Sequence, residues 1–512
     1  MRMHIARMAM VGLMVQTSLA SDWKARVPRP VLDSDPGLVE LYWKAWEMAH
    51  ESIREKPGLP QTPYLWPGAW DHSIWIWDTC FMAMFARYAP DVVPAIQSMK
   101  NFYVPLHDGW KGLYPLNIQH PDNPPLFAWV EYDFFKLTGD RAHVNDLLGR
   151  TRYLQRHFDW IENLKPGWRF ESDTEKKVSA PVRLKKTRHG YLWNRYPSGM
   201  DNTTRGRGAD NEILWIDAIA QQGLSALYIA RLAEAVGMQE EAASWRDRYE
   251  QIKKTVNTLY WDEEDGFYYD IDSFTLKPVK VMTPASYWPM FAEMCSPEQA
   301  RRMLKHALDE KVFGGDRPWP TLARTDPDYA EALPDGHYWR GGVWPPTTYM
   351  ATKALQKYGF HDEANELAHR SLQHALRTYR AVEPATLWEA LSPSRDYPAS
   401  KPAKTNKRTG KPLPDARVRL YVGWSSLPPI SLLIENVLGF HTIDAQRNVV
   451  EWRLHRSGRH GIENLRFGQT TASILTDGAG NVRVGSTAPF TLIINGVSHD
   501  IPAGQTALRT GG

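Results

Sequence analysis

A pairing of helical segments is what most constrains the fold. Apolar residues recur at i, i+3, i+4 and i+7 over 37–56, 72–88, 91–102, 125–138, 141–164, 211–235, 237–259, 285–293, 297–310, 346–359, 361–380 and 427–438, which predicts twelve helices. They come mostly in pairs. Between Glu212–Val236 and Gln239–Tyr260 stands Gly237, a helix stop, and acidic residues follow that favour the next helix N-terminus. Gly359 divides Pro346–Tyr358 from His361–Tyr379 in the same way. Twelve helices in hairpins suit a closed ring, inner helix then outer helix, six times over. An open solenoid also stacks helix pairs. The chain, however, shows no fixed period of roughly 34–47 residues and its connections are long and unequal, so closure is favoured.

Two connections exceed the usual loop length. Residues 165–210 carry the basic stretch Lys176–His189, and 392–426 carry Lys401, Lys404, Lys407, Arg408 and Lys411 among Pro, Gly and Thr, as lids or walls of a site would. From 441 the pattern changes to short alternating runs such as Val449–Leu454 and Phe490–Ile494, and Asn495-Gly496 signals a hairpin. The expected organisation is therefore mainly α over 21–440, with a small β-sandwich-like module over 441–512. Residues 1–20 read as a cleavable signal peptide: Arg2, His4 and Arg7 precede an apolar core, and Ser18-Leu19-Ala20 predicts a cut before Ser21. Periplasmic or secreted location follows, with no stable membrane insertion after cleavage, since no later segment is long and apolar enough to span a bilayer. Cys80 and Cys295 sit in apolar surroundings and read as buried thiols. With 61 basic against 58 acidic side chains the chain has no polyanion-binding footprint, and no nucleic-acid partner is expected. Oligomeric state is not legible.

Aromatic residues carry the functional signal. The chain has 22 Trp and 22 Tyr against 16 Phe, and Trp is a costly core filler because its buried N–H needs a partner. Four clusters set Trp or a short loop beside an acid or an arginine: Trp66–Thr79, containing Trp70, Asp71, Trp75, Trp77 and Asp78; Gly199–Asn202; His337–Pro346; and Trp388-Glu389. Each lies before or at the start of a predicted helix, which in a closed ring could bring all four to one mouth. Sugars present flat C–H faces that stack on indoles and hydroxyls that need carboxylates, amides and guanidinium groups. Glycosidic hydrolysis needs two carboxyl groups, one protonated and one ionised. Asp201 and Glu389 are the best-placed pair, with Asp78 a third. An Asx-turn for Asp201, helix-dipole pairing for Glu389 and helix capping for Asp78 would suit the same positions. Arg340, between Trp339 and two glycines, could clamp vicinal hydroxyls or form a structural salt bridge. The chain lacks a G-x-S-x-G elbow, a P-loop, an H-E-x-x-H motif and a dinucleotide fingerprint, and its 17 histidines show no metal-ligand spacing. Neither a metal nor a cofactor is expected.

At these residues, from about 60 to 440, the chain resembles glycoside hydrolase family 63, including its bacterial mannosylglycerate hydrolase-like branch, and more distantly the family 37 trehalases. Trp75-Ile-Trp77-Asp78-Thr79 is similar to a W-x-W-D-[ST] segment. Asn123-Pro-Pro125 with Ala128-Trp129 is similar to Q-P-P…A-W, departing at Asn123. Ser198-Gly-Met-Asp201-Asn202 matches S-G-[ML]-D-N, which bears the family's general acid, and Tyr338–Trp344 matches Y-W-R-G-P-[VI]-W except that Gly342 replaces the proline. Trp388-Glu389 with Ser392-Pro393 is similar to the segment bearing the general base. The resemblance implies an (α/α)6 barrel and an inverting mechanism, with Asp201 as acid and Glu389 as base. It further implies Asp78, Asn202, Arg340 and Trp344 as ligands of the non-reducing sugar, with Trp75, Trp77, Trp339 and Trp424 beside them.

Two other classes compete. A polysaccharide lyase or sugar epimerase on the same barrel would suit the basic loops, and a non-catalytic glycan-binding protein would use the tryptophans for affinity alone. Neither accounts for two acids inside matching motifs. The substrate expected is a carbohydrate, cleaved by an exo-acting α-glucosidase, with an α-mannosidase or a mannosylglycerate- or glucosylglycerate-type hydrolase as the alternative.

Overall fold

A computed structural model describes residues 23–68, 73–109, 117–123, 125–171, 179–207, 212–329, 335–401, 416–417 and 420–510. The signal peptide with its cut before Ser21, and Trp70, Asp71, Lys176, Lys404, Lys407, Arg408 and Lys411, lie outside the described residues.

All twelve helices form. In chain order they are α1 (Pro36–Glu51), α2 (Ile76–Ala86), α3 (97–108), α4 (Phe127–Thr138), α5 (141–162, broken at 151–152), α6 (Ile216–Val236), α7 (Gln239–Leu259), α8 (284–291), α9 (Pro297–Leu308), α10 (Pro345–Lys357), α11 (His361–Ala381) and α12 (423–437). Each even-numbered helix packs on the next, and α12 packs back on α2, so the inner ring closes where a solenoid would stay open. The architecture is an (α/α)6 barrel, mainly α, with strands grouped at the C-terminal end. Every residue of α2 is buried, because an inner helix meets neighbours on all sides. Outer helices such as α7 and α9 bury one stripe. Gly237 and Gly359 end α6 and α10 in left-handed geometry, and Met238 N–H and Phe360 N–H reach back to the carbonyls of Ala233 and Leu355.

Several boundaries differ from the periodicity. The first helix stops at Glu51, because Ile53–Arg54 pairs with Tyr64–Leu65. The second begins only at Ile76, because Ser73–Ile74 runs parallel to Asn117–Ile118. The two long connections are not structureless. Lys185–Lys186 and Tyr191–Leu192 join Ile213–Leu214, Asp270–Asp272 and Pro278–Val279 in a five-stranded sheet, and Ser400–Lys401 pairs with Ala416–Arg417.

The C-terminal strands form a four-stranded and a five-stranded sheet, and Asn495-Gly496 makes the expected hairpin turn, both residues at positive φ. Arg29–Leu32, which the sequence reading groups with the helical region, is an edge strand of the larger sheet, antiparallel to His460–Glu463. Trp452 fixes the module to the barrel, stacking on Phe440 and donating Nε1–H to the Leu438 carbonyl at 2.7 Å. Cys80 and Cys295 are buried and unpaired with each other. Among the described residues no helix is long and apolar enough to cross a membrane.

An aromatic plug lies inside the ring. Trp77 and Phe81 of α2, Trp129 of α4 and Trp288 of α8 meet with ring centroids 4.7–6.4 Å apart, mostly edge to face. Each such pair contributes about 0.5–1.5 kcal/mol beyond its buried area. Four inner-helix rings therefore form a rigid base under the mouth where Trp77 stands.

Candidate active site

Inner helices begin at one mouth of the barrel, and tryptophans sit where they begin. Trp75, Trp215 and Trp344 each occupy the extended residue that precedes α2, α6 and α10, and Trp424 opens α12. Beside them lies a cavity of about 360 Å³, within the range of small-molecule sites. Its walls include Trp75, Trp77, Asp78, Asp201, Glu389 and Trp424. Six of the ten site residues expected from sequence therefore converge.

Three local structures hold the carboxyl groups. Asp78 is buried in the first turn of α2. Asp201 lies in a loop whose preceding Gly199 has φ +82°, and a Cβ there would meet the Trp77 ring at 3.1 Å, so the loop can rest on that indole only as glycine. Residues 202–207 are turn and loop and the strand Ile213–Leu214 precedes α6, so this cluster does not open a helix as the sequence reading supposes. Glu389 departs from it further. Residues 390–401 form no helix; Leu391 instead bridges Val343 and Pro398, and Trp424 donates its indole N–H to the Glu389 carbonyl at 3.4 Å. The helix-dipole reading of Glu389 is thereby removed. Glu389 stands in a bend just before the Leu391 bridge, which ties it to the segment before α10.

Four expected residues stand behind the wall. Asn202, Trp339, Arg340 and Trp344 do not line the cavity among the described residues. Asn202 accepts the Trp339 N–H at 2.7 Å and donates to the His337 carbonyl at 3.0 Å, while Arg340 Nε–H donates to the Asn202 carbonyl at 3.0 Å. Trp339 lies flat on Trp344, centroids 3.8 Å apart. Their work is to lock the loop of Asp201 against the loop of Tyr338. Arg340 clamps the loop through its Nε–H in this structure.

Five wall residues go beyond the expected set: Gln119, His120, Asn123, Tyr196 and Tyr338, with the glycine at 199 filling a gap. Tyr338 adopts φ +64°, a conformation that a bulky residue rarely takes and that clusters at functional sites, and its hydroxyl donates to Asp201 Oδ2 at 3.4 Å. His120 also has positive φ, and burial pushes its imidazole down to about 4, so it is neutral at neutral pH. Tyr196 is more than half exposed at the rim. Asn123 and Tyr338 belong to segments the sequence singles out. His120 and Gln119 carry no sequence signal, because a loop whose backbone φ is positive at a non-glycine residue cannot be read from composition.

Gly342, the departure from the family pattern, has a local cause. Its N–H donates to the Gly336 carbonyl at 2.9 Å and the Tyr338 carbonyl at 3.1 Å, bonds that proline cannot make. A Cβ at 342 would lie 2.5 Å from the Tyr338 oxygen.

Indole walls around several carboxyl groups and a tyrosine hydroxyl can stack a sugar ring, bind its hydroxyls and move a proton at a glycosidic oxygen. Among the described residues no group of three or more His, Cys, Asp or Glu side chains could hold a metal ion.

Known proteins are similar to this chain. A protein of Borreliella burgdorferi with no assigned activity is 26% identical over 355 residues, covering 69% of this chain and 66% of its own length. A mannosylglycerate hydrolase of Thermus thermophilus is 30% identical over 209 residues, 39% of this chain and 46% of its own. Thus the chain spans about two thirds and under half of these relatives. Among solved structures, a sialidase superposes with a TM-score of 0.69 at 14% identity, covering 91% of this chain and 40% of its own. The glucose complex of a family 63 mannosylglycerate hydrolase from Thermus thermophilus gives 0.53 at 17%, covering 77% and 99%. These structural likenesses concern the fold. The model of the mannosylglycerate hydrolase MGH1-like glycoside hydrolase domain matches residues 73–405, a span that contains Asp78, Asp201, Arg340 and Glu389, and the chain belongs to that family.

Proposed function

We propose that this chain is an exo-acting, inverting α-glycosidase. Asp201 protonates the glycosidic oxygen, and Glu389 takes a proton from the water that attacks the anomeric carbon from the other face. One observation carries the reading: Asp201 and Glu389, far apart in sequence and held by unrelated local structures, line a single tryptophan-walled cavity. Asp78 accepts sugar hydroxyls, and Trp75, Trp77 and Trp424 supply stacking faces.

An α-glucoside with a neutral leaving group is the favoured substrate. The described wall carries three carboxyl groups, a neutral histidine and no lysine or arginine, so an anionic leaving group would find no countercharge there. Hydrolysis of mannosylglycerate or glucosylglycerate is the second reading, favoured by the family match and the Thermus thermophilus relative. We further propose export to the periplasm or medium through residues 1–20.

The test is to purify Asp201→Asn and Glu389→Gln and measure reducing-sugar release on aryl α-glycosides, disaccharides and both glycerates. Folded variants should lose activity by about 10²-fold or more. Near-normal turnover in either variant would remove that assignment.

A further inference from the structure

Four residues beyond Asp201, in the same loop, Arg205 is almost wholly buried and does not line the cavity described above. Its guanidinium uses every donor it has. Nε–H and one Nη2–H go to Asp270 at 2.8 and 2.6 Å. One Nη1–H and the other Nη2–H go to Asp217 at 2.6 and 3.0 Å. The fifth N–H, on Nη1, points to the sulfur of Met200 at 3.9 Å. Beneath the group lies the Trp215 ring, 4.4 Å from the guanidinium carbon.

Each partner belongs to a different rigid element. Asp217 is in the first turn of inner helix α6, Asp270 is in the strand Asp270–Asp272 and also accepts the Ile216 N–H at 2.9 Å, and Met200 directly precedes Asp201. The cluster holds two carboxylates against one cation, all 3% exposed or less. Burying an excess negative charge is costly, so such a cluster is poorly explained as a contribution to stability alone. What it secures is geometry: a planar fork matched to two carboxylates fixes the loop in position and angle.

We propose that Arg205 is the positioning residue for proton delivery, fixing the Met200-Asp201 backbone so that the Asp201 O–H lies in line with the glycosidic oxygen as the C–O bond breaks. This rests on Asp201 being the general acid. The loop is then gripped from two sides, by Arg205 from within the barrel and by the loop of Tyr338 through Asn202.

The test separates leaving groups by their need for a proton. A glycosyl fluoride expels fluoride without full protonation, whereas an alkyl glycoside cannot expel an alkoxide unassisted. Both α-glycosides of the sugar that the wild-type protein hydrolyses are used. Arg205→Lys keeps the buried charge and loses the fork; Met200→Leu keeps the volume and loses the sulfur. Arg205→Lys should lower kcat on the alkyl glycoside by about 10²-fold while the fluoride changes by less than about threefold, and the alkaline limb of its pH profile should move. Met200→Leu should show the same selectivity at about three- to tenfold. Equal losses on both substrates, or no loss on either, would overturn the proposal, and Met200→Leu decides alone if Arg205→Lys does not fold. Asp201→Asn is run on the same pair. If it is selective and the Arg205 and Met200 variants are not, only the positioning role falls; if it is not selective, the acid assignment fails and the positioning role with it.

Discussion

Asn202 and Trp339 are joined side chain to backbone, the Asn202 Oδ1 accepting the Trp339 N–H at 2.7 Å while its Nδ2 holds the His337 carbonyl. The residue after the proposed acid thereby bridges to the loop that presents Tyr338. Asn202→Ala removes both bonds, each contributing about 0.5–1.5 kcal/mol, and frees two loops that must stay aligned. We expect kcat to fall about 10- to 100-fold with far-ultraviolet circular dichroism unchanged. Wild-type turnover in this variant would show that the bridge does not serve the site.

Restoring the family's proline at position 342 should harm this chain. Gly342→Pro loses the N–H bonds to Gly336 and Tyr338 and forces a side chain against the Tyr338 carbonyl. A loss of about 2–4 kcal/mol is expected from an unsatisfied carbonyl and the clash together, read from urea denaturation. Stability within about 0.5 kcal/mol of wild type would mean that the loop can adopt the family's geometry at no cost.

Far from the mouth, Glu435 is buried between Arg87 and Lys353, each 2.8 Å away, and accepts the Tyr88 hydroxyl at 2.9 Å. Glu435→Leu removes the carboxylate partner of Lys353 and leaves Arg87 only its longer pair with Asp133 at 3.3 Å. The expected loss is about 3–5 kcal/mol, and the melting temperature should drop accordingly. The double substitution Glu435→Leu with Lys353→Met should recover part of it.

His143 gives a pH signature. The carboxylate of buried Glu131, 2.7 Å from its Nε2, raises the imidazole to about 9 against the opposing effect of burial. A histidine raised in the folded state stabilises fully below its unfolded value near 6.5, and that stabilisation is lost as pH rises through about 9. The side chain is one third exposed, so screening limits the contribution to about 1 kcal/mol. His143→Gln should be less stable than wild type at pH 6 and equal to it near pH 10, in guanidinium melts at both values. A constant difference across that range would exclude the imidazolium pair.

Helix number and pairing were legible because burial on one or both faces imposes apolar periodicity, and glycines such as Gly237 mark the stops. What stayed hidden were contacts between distant segments. Arg29–Leu32 reads as a short lead-in to α1, and only its partner at 460–463 makes it part of the C-terminal sheet. At the site, Trp75, Trp77, Asp78 and Asp201 could be found because aromatic and acidic residues gather in short loops. Glu389 could be found by type, though the bridge of nearby Leu391 to Val343 could not. For Arg340 a guanidinium between glycines suits a clamp on substrate or on backbone equally well, and its Nε–H bond to the Asn202 carbonyl was not legible. His120 and Tyr338 reach the cavity through left-handed backbone that their residue types do not announce.

With Asp201 as acid and Glu389 as base on opposite faces of the sugar, hydrolysis is a single displacement by water. Proton NMR of the anomeric region, recorded within the first minutes of hydrolysis of an α-glycoside that the protein cleaves, tests it directly. The β-anomer of the free sugar is expected to appear first and then to mutarotate toward the equilibrium mixture. First appearance of the α-anomer would contradict it, because retention requires a nucleophile where Glu389 is assigned as a base.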